Sequence, residues 1–198
     1  MPPHRVLPGF LEEATVAALL DYAERRQAAF APTHVGLFEH RQVDPDYRRS
    51  MSARDLGPFR PLFQARVMDR AAELMASLRL SAARTTRLGL ELVAHGDGDF
   101  YRRHTDIRTA ADDIDIRVLS GVYYFHREPK AFDGGALRLY AIGDDAAFVD
   151  VPPTHNSLLI FPSWAPHEVR PVRCPSGAFM DSRFSINCWV YAARGAGG

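Results

Sequence analysis

Up to about residue 86, apolar residues recur at spacings of three and four; from residue 87 they alternate with polar ones or form short runs broken by glycine and proline. In the first stretch Leu11, Val16, Leu19, Leu20, Tyr22 and Ala23 line one side of a helix expected over Leu11–Arg26. Glu12 and Glu13 sit in its first turn, where the helix dipole favours carboxylates. Phe63, Val67, Met68, Ala71, Leu74, Met75 and Leu78 predict a second helix over Pro61–Leu78, with Pro61 near the first helical position and the methionines as core filling. Between the two, Gly36–Leu56 is rich in Arg, Asp and His and weakly periodic. It reads as an excursion with one or two short strands, a candidate lid.

Eight short strands follow: Leu88–Ala94, Phe100–His104, Ile116–Phe125, Leu137–Ala141, Phe148–Val151, Ser157–Phe161, Glu168–Val172 and Phe184–Tyr191. Turn residues such as Gly-Gly, Pro-Pro and Pro-Ser separate them, which argues for a sandwich or jelly roll over a parallel α/β sheet. The expected fold is mainly β with flanking helices (α+β): a helical part over about 1–86 packed on one sheet of a β core over about 87–192. At 198 residues the chain is expected to form one domain. The C-terminal Gly-Ala-Gly-Gly is expected to be disordered.

Lys+Arg and Asp+Glu both number 24, so the formal net charge is zero. No long run of one sign marks a nucleic-acid or membrane face, and no apolar stretch approaches a membrane span, which leads us to expect a cytoplasmic protein without either partner. Cys174 and Cys188 are too few for a disulfide framework and lack a metal-binding spacing.

Against that neutral background, His104-Thr105-Asp106 stands out, with His167 some sixty residues later. Residues two apart on a strand point to the same side, so His104 and Asp106 can reach one ion, and His167 can be delivered at the start of a facing strand. Two histidines and one carboxylate hold non-haem Fe(II) with open coordination positions. A second pair, His95-Gly96-Asp97, lies in a glycine-rich turn that fixes side-chain directions poorly, so the His104 pair is preferred.

Several segments in order resemble the Fe(II)/2-oxoglutarate-dependent oxygenases, and within them the prolyl 4-hydroxylase-like group. They are Gly98–Asp106, Val122–Phe125, Phe132–Tyr140, Leu159–Ser163, Pro166–Val169 and Arg183–Trp189, spread over Leu92 to Tyr191. The resemblance implies a double-stranded β-helix with Fe(II) held by His104, Asp106 and His167. It further implies 2-oxoglutarate as cosubstrate, O2 as oxidant and ascorbate as reductant.

On this resemblance Arg183 binds the distal carboxylate of 2-oxoglutarate, a role a guanidinium fork fills better than an ammonium. Arg170 and Arg173 are alternatives, since Arg173–Met180 inserts a loop before Arg183. Ser185 and Trp189 share the strand face of Arg183 by alternation. Tyr124 resembles a tyrosine that contacts the same carboxylate, while Tyr101 and Leu137 resemble pocket-lining residues. Related halogenases lack the carboxylate and let chloride replace it, so Asp106 implies hydroxylation. The expected substrate is a prolyl residue in a peptide or protein, the alternative a free amino acid or other small metabolite. A non-enzymatic metal-binding jelly roll is a third reading, and a cupin a fourth, disfavoured by the lack of HxH. Neither Gly36–Leu56 nor Ile107–Asp115 carries a substrate motif, and the oligomeric state is left open.

Overall fold

The change of period near residue 87 marks the passage from helices to long strands in a computed structural model that describes residues 1–35, 42–107 and 114–193. Strand β1 (Arg5–Pro8) precedes helix α1 (Glu13–Arg25), and β2 (Ala31–Pro32), β3 (Arg48–Arg49) and β4 (Met51–Ala53) precede helices α2 (Phe59–Met68) and α3 (Ala71–Ser77). The long run comprises β5 (Thr85–His95), β6 (Phe100–His104), β7 (Asp115–Phe125), β8 (Asp133–Gly134), β9 (Leu137–Ala141), β10 (Asp144–Val151), β11 (Ser157–Pro162), β12 (His167–Val169), β13 (Val172–Arg173) and β14 (Arg183–Ala193). The chain is mostly β with few helices, consistent with a jelly roll. No helix among the described residues is long and apolar enough to cross a membrane.

Two antiparallel sheets dominate, one ordered β1-β11-β7-β14-β5-β4-β2 and the other β10-β9-β12-β6-β3. Alternation assigns each strand two faces. On β14, Phe184, Ile186, Cys188 and Val190 join an apolar core with Val16, Leu19, Phe63 and Leu74 of the helices, while Val122 and Tyr124 of β7 belong to a second core with Leu137, Leu139 and Phe161. Phe63 packs edge-on against Tyr123 with ring centroids 5.3 Å apart. Asn156 ties the N-terminal segment to this core: its amide donates to Leu11 O and its oxygen accepts from Leu11 N–H and the Tyr123 hydroxyl.

Two expectations are corrected. The single helix over Pro61–Leu78 is two helices, broken at Asp69-Arg70, where Arg70 leaves helical geometry at φ −105° and ψ 5° and grips Glu73 through two hydrogen bonds. No glycine or proline signals this break. It re-aims the apolar stripe so that Ala71, Leu74 and Met75 are as buried as Phe63 and Val67, so packing overrides local propensity.

The strand over Glu168–Val172 is likewise two strands. Pro171 has no N–H to continue the ladder, and β13 pairs instead with β8 in a separate two-stranded ribbon. The expected excursion does contribute β3 and β4, but residues 36–41 of the candidate lid lie outside the described residues. So do residues 108–113 of Ile107–Asp115 and the C-terminal tail beyond residue 193.

Candidate active site

β6 ends on His104 and β12 begins on His167, and the two are register partners in the five-stranded sheet. Their ring centroids lie 4.2 Å apart. With Nδ1 protonated, His104 donates to Arg102 O at 2.8 Å and His167 to Ala165 O at 2.9 Å, leaving each Nε2 as a possible metal donor. Tyr101 stacks on His104 at 3.6 Å, and Phe161 meets His167 edge-on.

Asp106 is placed differently from the expectation. β6 stops at His104, so strand alternation does not direct the carboxylate. Its backbone N–H donates to Ser163 O at 2.9 Å, the Ser120 hydroxyl donates to Oδ2 at 2.7 Å, and Arg117 Nη1 lies 3.7 Å from Oδ1. One possible ligand atom from each of His104, Asp106 and His167 lies within 4.8 Å of the others.

The electrostatics favour the protonation states a cation needs. Burial, followed by the neighbouring His167, pushes the His104 pKa down to about 3. Burial alone would raise that of Asp106, but His167, His104, Arg117 and the Ser120 hydroxyl outweigh it and hold the carboxyl below its ordinary value. A neutral His104 imidazole beside an ionised Asp106 carboxylate is a donor pair suited to Fe(II).

Arg183 opens β14 and is 1% exposed. Its Nε donates to Gly135 O at 2.7 Å, Nη1 lies 3.4 Å from His95 Nδ1, and its guanidinium sits 4.8 Å over the Tyr124 ring. No carboxylate among the described residues pairs with it. Arg183 Nη2, Tyr124 Oη, Ser185 Oγ and His95 Nε2 are all buried without a hydrogen-bond partner among the described residues. Four such atoms around a buried cation would be costly unless an anion satisfied them, and a carboxylate with two acceptor oxygens fits that need. The alternatives are engaged elsewhere: Arg170 pairs with Glu168, and Arg173, on the surface, with Asp133.

One cavity of about 850 Å³ is lined by the triad together with Arg183, Ser185, Trp189, Tyr101 and Leu137. Tyr124 sits behind Arg183 and reaches it through the ring face. Asn187 completes the pocket side of β14, as alternation predicts.

Sequence reasoning passed over several residues of this cavity. His95, set aside as part of a turn, is the last residue of β5, is register-paired with Arg183 and lines the cavity; burial and then the charges of Arg183 and Arg48 keep it neutral. Arg117 braces Asp106 and donates to the Tyr191 hydroxyl at 2.8 Å, so a charged residue inside the mostly apolar β7 was a usable signal. Ser120 and Ser163 hydrogen-bond each other at 2.9 Å and gave no such signal.

The family model described as the 2OG-Fe(II) oxygenase superfamily matches residues 90–191, the stretch that holds every one of these side chains. The chain belongs to that superfamily. Its members use Fe(II), 2-oxoglutarate and O2.

An uncharacterized PKHD-type hydroxylase of Synechocystis sp. is 38% identical over 136 residues, which is 65% of this chain and 44% of that protein. The match therefore spans less than half the length of the curated relative. Among solved structures, a Pseudomonas putida prolyl-4-hydroxylase superposes with a TM-score of 0.69 at 26% identity, covering 98% of this chain and 95% of its own. A Trichoplax adhaerens prolyl hydroxylase, in complex with a hypoxia inducible factor oxygen degradation domain peptide fragment, shares the fold at a TM-score of 0.66. It is 21% identical and covers 97% and 84% of the two chains.

Proposed function

We propose that this oxygenase is a hydroxylase in which His104, Asp106 and His167 hold Fe(II), while Arg183, Tyr124 and Ser185 hold the distal carboxylate of 2-oxoglutarate. The observation that carries this reading is the buried, partnerless pair of Arg183 Nη2 and Ser185 Oγ on the wall of the cavity that also contains the three-ligand cluster, with Tyr124 Oη, behind Arg183, likewise without a partner among the described residues. The donor set fits both groups: two imidazoles and a carboxylate for a divalent ion with open positions, and an unpaired guanidinium with two hydroxyls for a carboxylate. The substrate we propose is a prolyl residue in a peptide or protein, in keeping with the likeness to the Pseudomonas putida prolyl-4-hydroxylase.

Bound Fe(II) and 2-oxoglutarate would supply the oxidative step, in which O2 hydroxylates a C–H bond while 2-oxoglutarate becomes succinate and CO2. The residues of this chain orient and shield that chemistry. Arg117 and Ser120 fix the rotamer of Asp106 and keep it ionised. The Arg102 and Ala165 carbonyls fix the tautomers of the two histidines. Leu137 and Tyr101 supply wall beside the metal ligands, and Arg183 would hold the distal carboxylate of the cosubstrate.

The test is incubation with Fe(II), ascorbate, 2-oxoglutarate and a mixed library of peptides and free amino acids, with mass-spectrometric detection of products heavier by one oxygen. We expect hydroxylated prolyl peptides and stoichiometric succinate. Asp106→Ala should reduce product by more than about a hundredfold, since it removes a ligand and strands Arg117. Wild-type rates from that variant would overturn the assignment, and products confined to free amino acids would overturn the peptide substrate.

A further inference from the structure

The cavity continues beyond the triad, and its outer part carries charge that the hydroxylase reading leaves unused. Among the described residues, five guanidinium groups line it, Arg48, Arg54, Arg60, Arg117 and Arg183, against two carboxylates, Glu91 and Asp106. Arg48 is matched to Glu91 at 3.4 Å and Arg117 to Asp106 at 3.7 Å. Arg183 faces the deep end. That leaves Arg54 and Arg60, neither of which has a carboxylate partner among the described residues. Asp55, next in sequence, is turned away: its Oδ2 binds Arg26 at 3.0 Å and its Oδ1 accepts the Gly57 N–H at 2.8 Å. Arg60 Nη2 donates to the backbone carbonyl of Arg54 at 2.9 Å, which ties the start of α2 to the segment after β4, and both arginines line the cavity.

Past Arg54 the surface runs into a second depression of about 410 Å³ that shares His34, Arg54 and Glu91 with the first. Small side chains line it, Ala29 just before β2, Ala31 in β2 and Ser52 and Ala53 in β4, and β2 is the edge strand of the seven-stranded sheet. With Glu91 matched to Arg48, Arg54 is the unmatched charge where the two hollows meet, and connected hollows with small walls suit an extended chain better than a compact metabolite.

We propose that Arg54 and Arg60 form an anion-recognising subsite for an extended acidic peptide, which enters over β2 and β4 with a carboxylate side chain at the arginine pair and its reacting residue at the triad. The proposal rests on the hydroxylase reading for the position of the reacting residue. The carboxylate could also belong to a free acid, and the experiment separates the two sources.

Three fluorescein-labelled decapeptides with a central proline, flanked by Glu, Gln or Lys and otherwise identical, are titrated anaerobically with the Fe(II)- and 2-oxoglutarate-loaded protein, and binding is read by fluorescence anisotropy. We expect the Glu peptide to bind about tenfold more tightly than the Gln peptide, the factor that ~1.4 kcal/mol from two partly exposed ion pairs supplies. The Lys peptide should be weakest, and the Glu preference should shrink as salt rises. In the double variant Arg54→Gln, Arg60→Gln the preference should vanish.

Equal affinity for Glu and Gln peptides, or a preference that survives in the double variant, would overturn the subsite. Competition by free N-acetylglutamate at peptide-like concentrations would overturn the extended-chain occupant. The visible absorbance of the Fe(II)–2-oxoglutarate pair, recorded on the same samples, reports cosubstrate loading separately. Anisotropy reads the groove whether or not that band forms, so a missing band counts against the iron and cosubstrate assignment alone.

Discussion

The two faces of β14 obey opposite rules. Phe184, Ile186, Cys188 and Val190 face the helices in a core where aromatic and aliphatic side chains fill the available space. Arg183, Ser185, Asn187 and Trp189, one residue out of phase, face the cavity, where Arg183 and Ser185 carry polar atoms that no protein group satisfies. A single alternating strand thus separates the part of the molecule that stabilises from the part that binds. The contrast teaches that the pocket side is incomplete by itself, and that the helix side must supply the stability that tolerates it.

That division can be broken from either side. Phe63→Ala on the helix side should cost ~3–5 kcal/mol, because a fully buried ring against Phe10 and Tyr123 would leave a void. Chemical denaturation should show the loss, while the KM for 2-oxoglutarate of the folded fraction stays within about twofold. A large change in KM would mean that the two faces are not separable.

On the pocket side, Gly135→Ala is the sharper tool. Gly135 sits at φ +66°, and an added Cβ would lie 2.6 Å from Arg183 Cδ and 2.9 Å from Val172 Cγ2. We expect ~1–3 kcal/mol of destabilisation from strain and overpacking, and a KM for 2-oxoglutarate raised about tenfold as the guanidinium is displaced. Gly143→Ala is the control, with φ +76° but nothing within 4 Å of the new methyl, so it should cost only ~1–2 kcal/mol of backbone strain and leave KM unchanged.

The smallest effect belongs to neither face. Arg138 grips Asp150 through two hydrogen bonds of 2.7 Å, and this interaction holds the Asp150 carboxyl below its ordinary value. A depressed carboxylate contributes stability that is present above its unfolded pKa and lost as pH falls through its folded one. Asp150→Asn should therefore cost under ~1 kcal/mol near neutrality, since the pair is partly exposed and screened, and that difference should fade below about pH 4. Thermal melts of both proteins between neutral pH and pH 3 would check this, and a gap that widens on acidification would contradict it.

The strand run was largely legible because period-two alternation is a local property, and β6, β9 and β11 fall within a residue of their expected bounds. The break at Asp69-Arg70 was not legible, because no glycine or proline marks it and the apolar spacing runs through it. At the site, His104, Asp106 and His167 could be singled out from motif spacing, and Arg183 from the family resemblance. His95 was misjudged because Gly96 made its neighbourhood look like a turn, whereas pairing with Arg183 extends β5 through it. Ser120 and Ser163 were invisible for a simpler reason: a serine carries no pattern until a partner is brought to it.

By itself, then, the sequence determined which residue types recur at which intervals, and so the mainly β architecture, the neutral charge balance and the candidate metal ligands, while the clamp residues were implied by the family resemblance. The periodic features follow from backbone geometry and side-chain chemistry, which act over a few residues. Only the tertiary structure decided that the Asp106 carboxylate is held by Ser120 and Arg117 outside its strand, that His95 and Tyr124 close in on Arg183, and that Arg54 and Arg60 both line the cavity without acidic partners among the described residues. The first two depend on different strands meeting in space, and the third on the turn that leads from β4 into α2. Hydrogen bonds and charge pairs act over a few ångströms of space, so their partners are fixed by the fold.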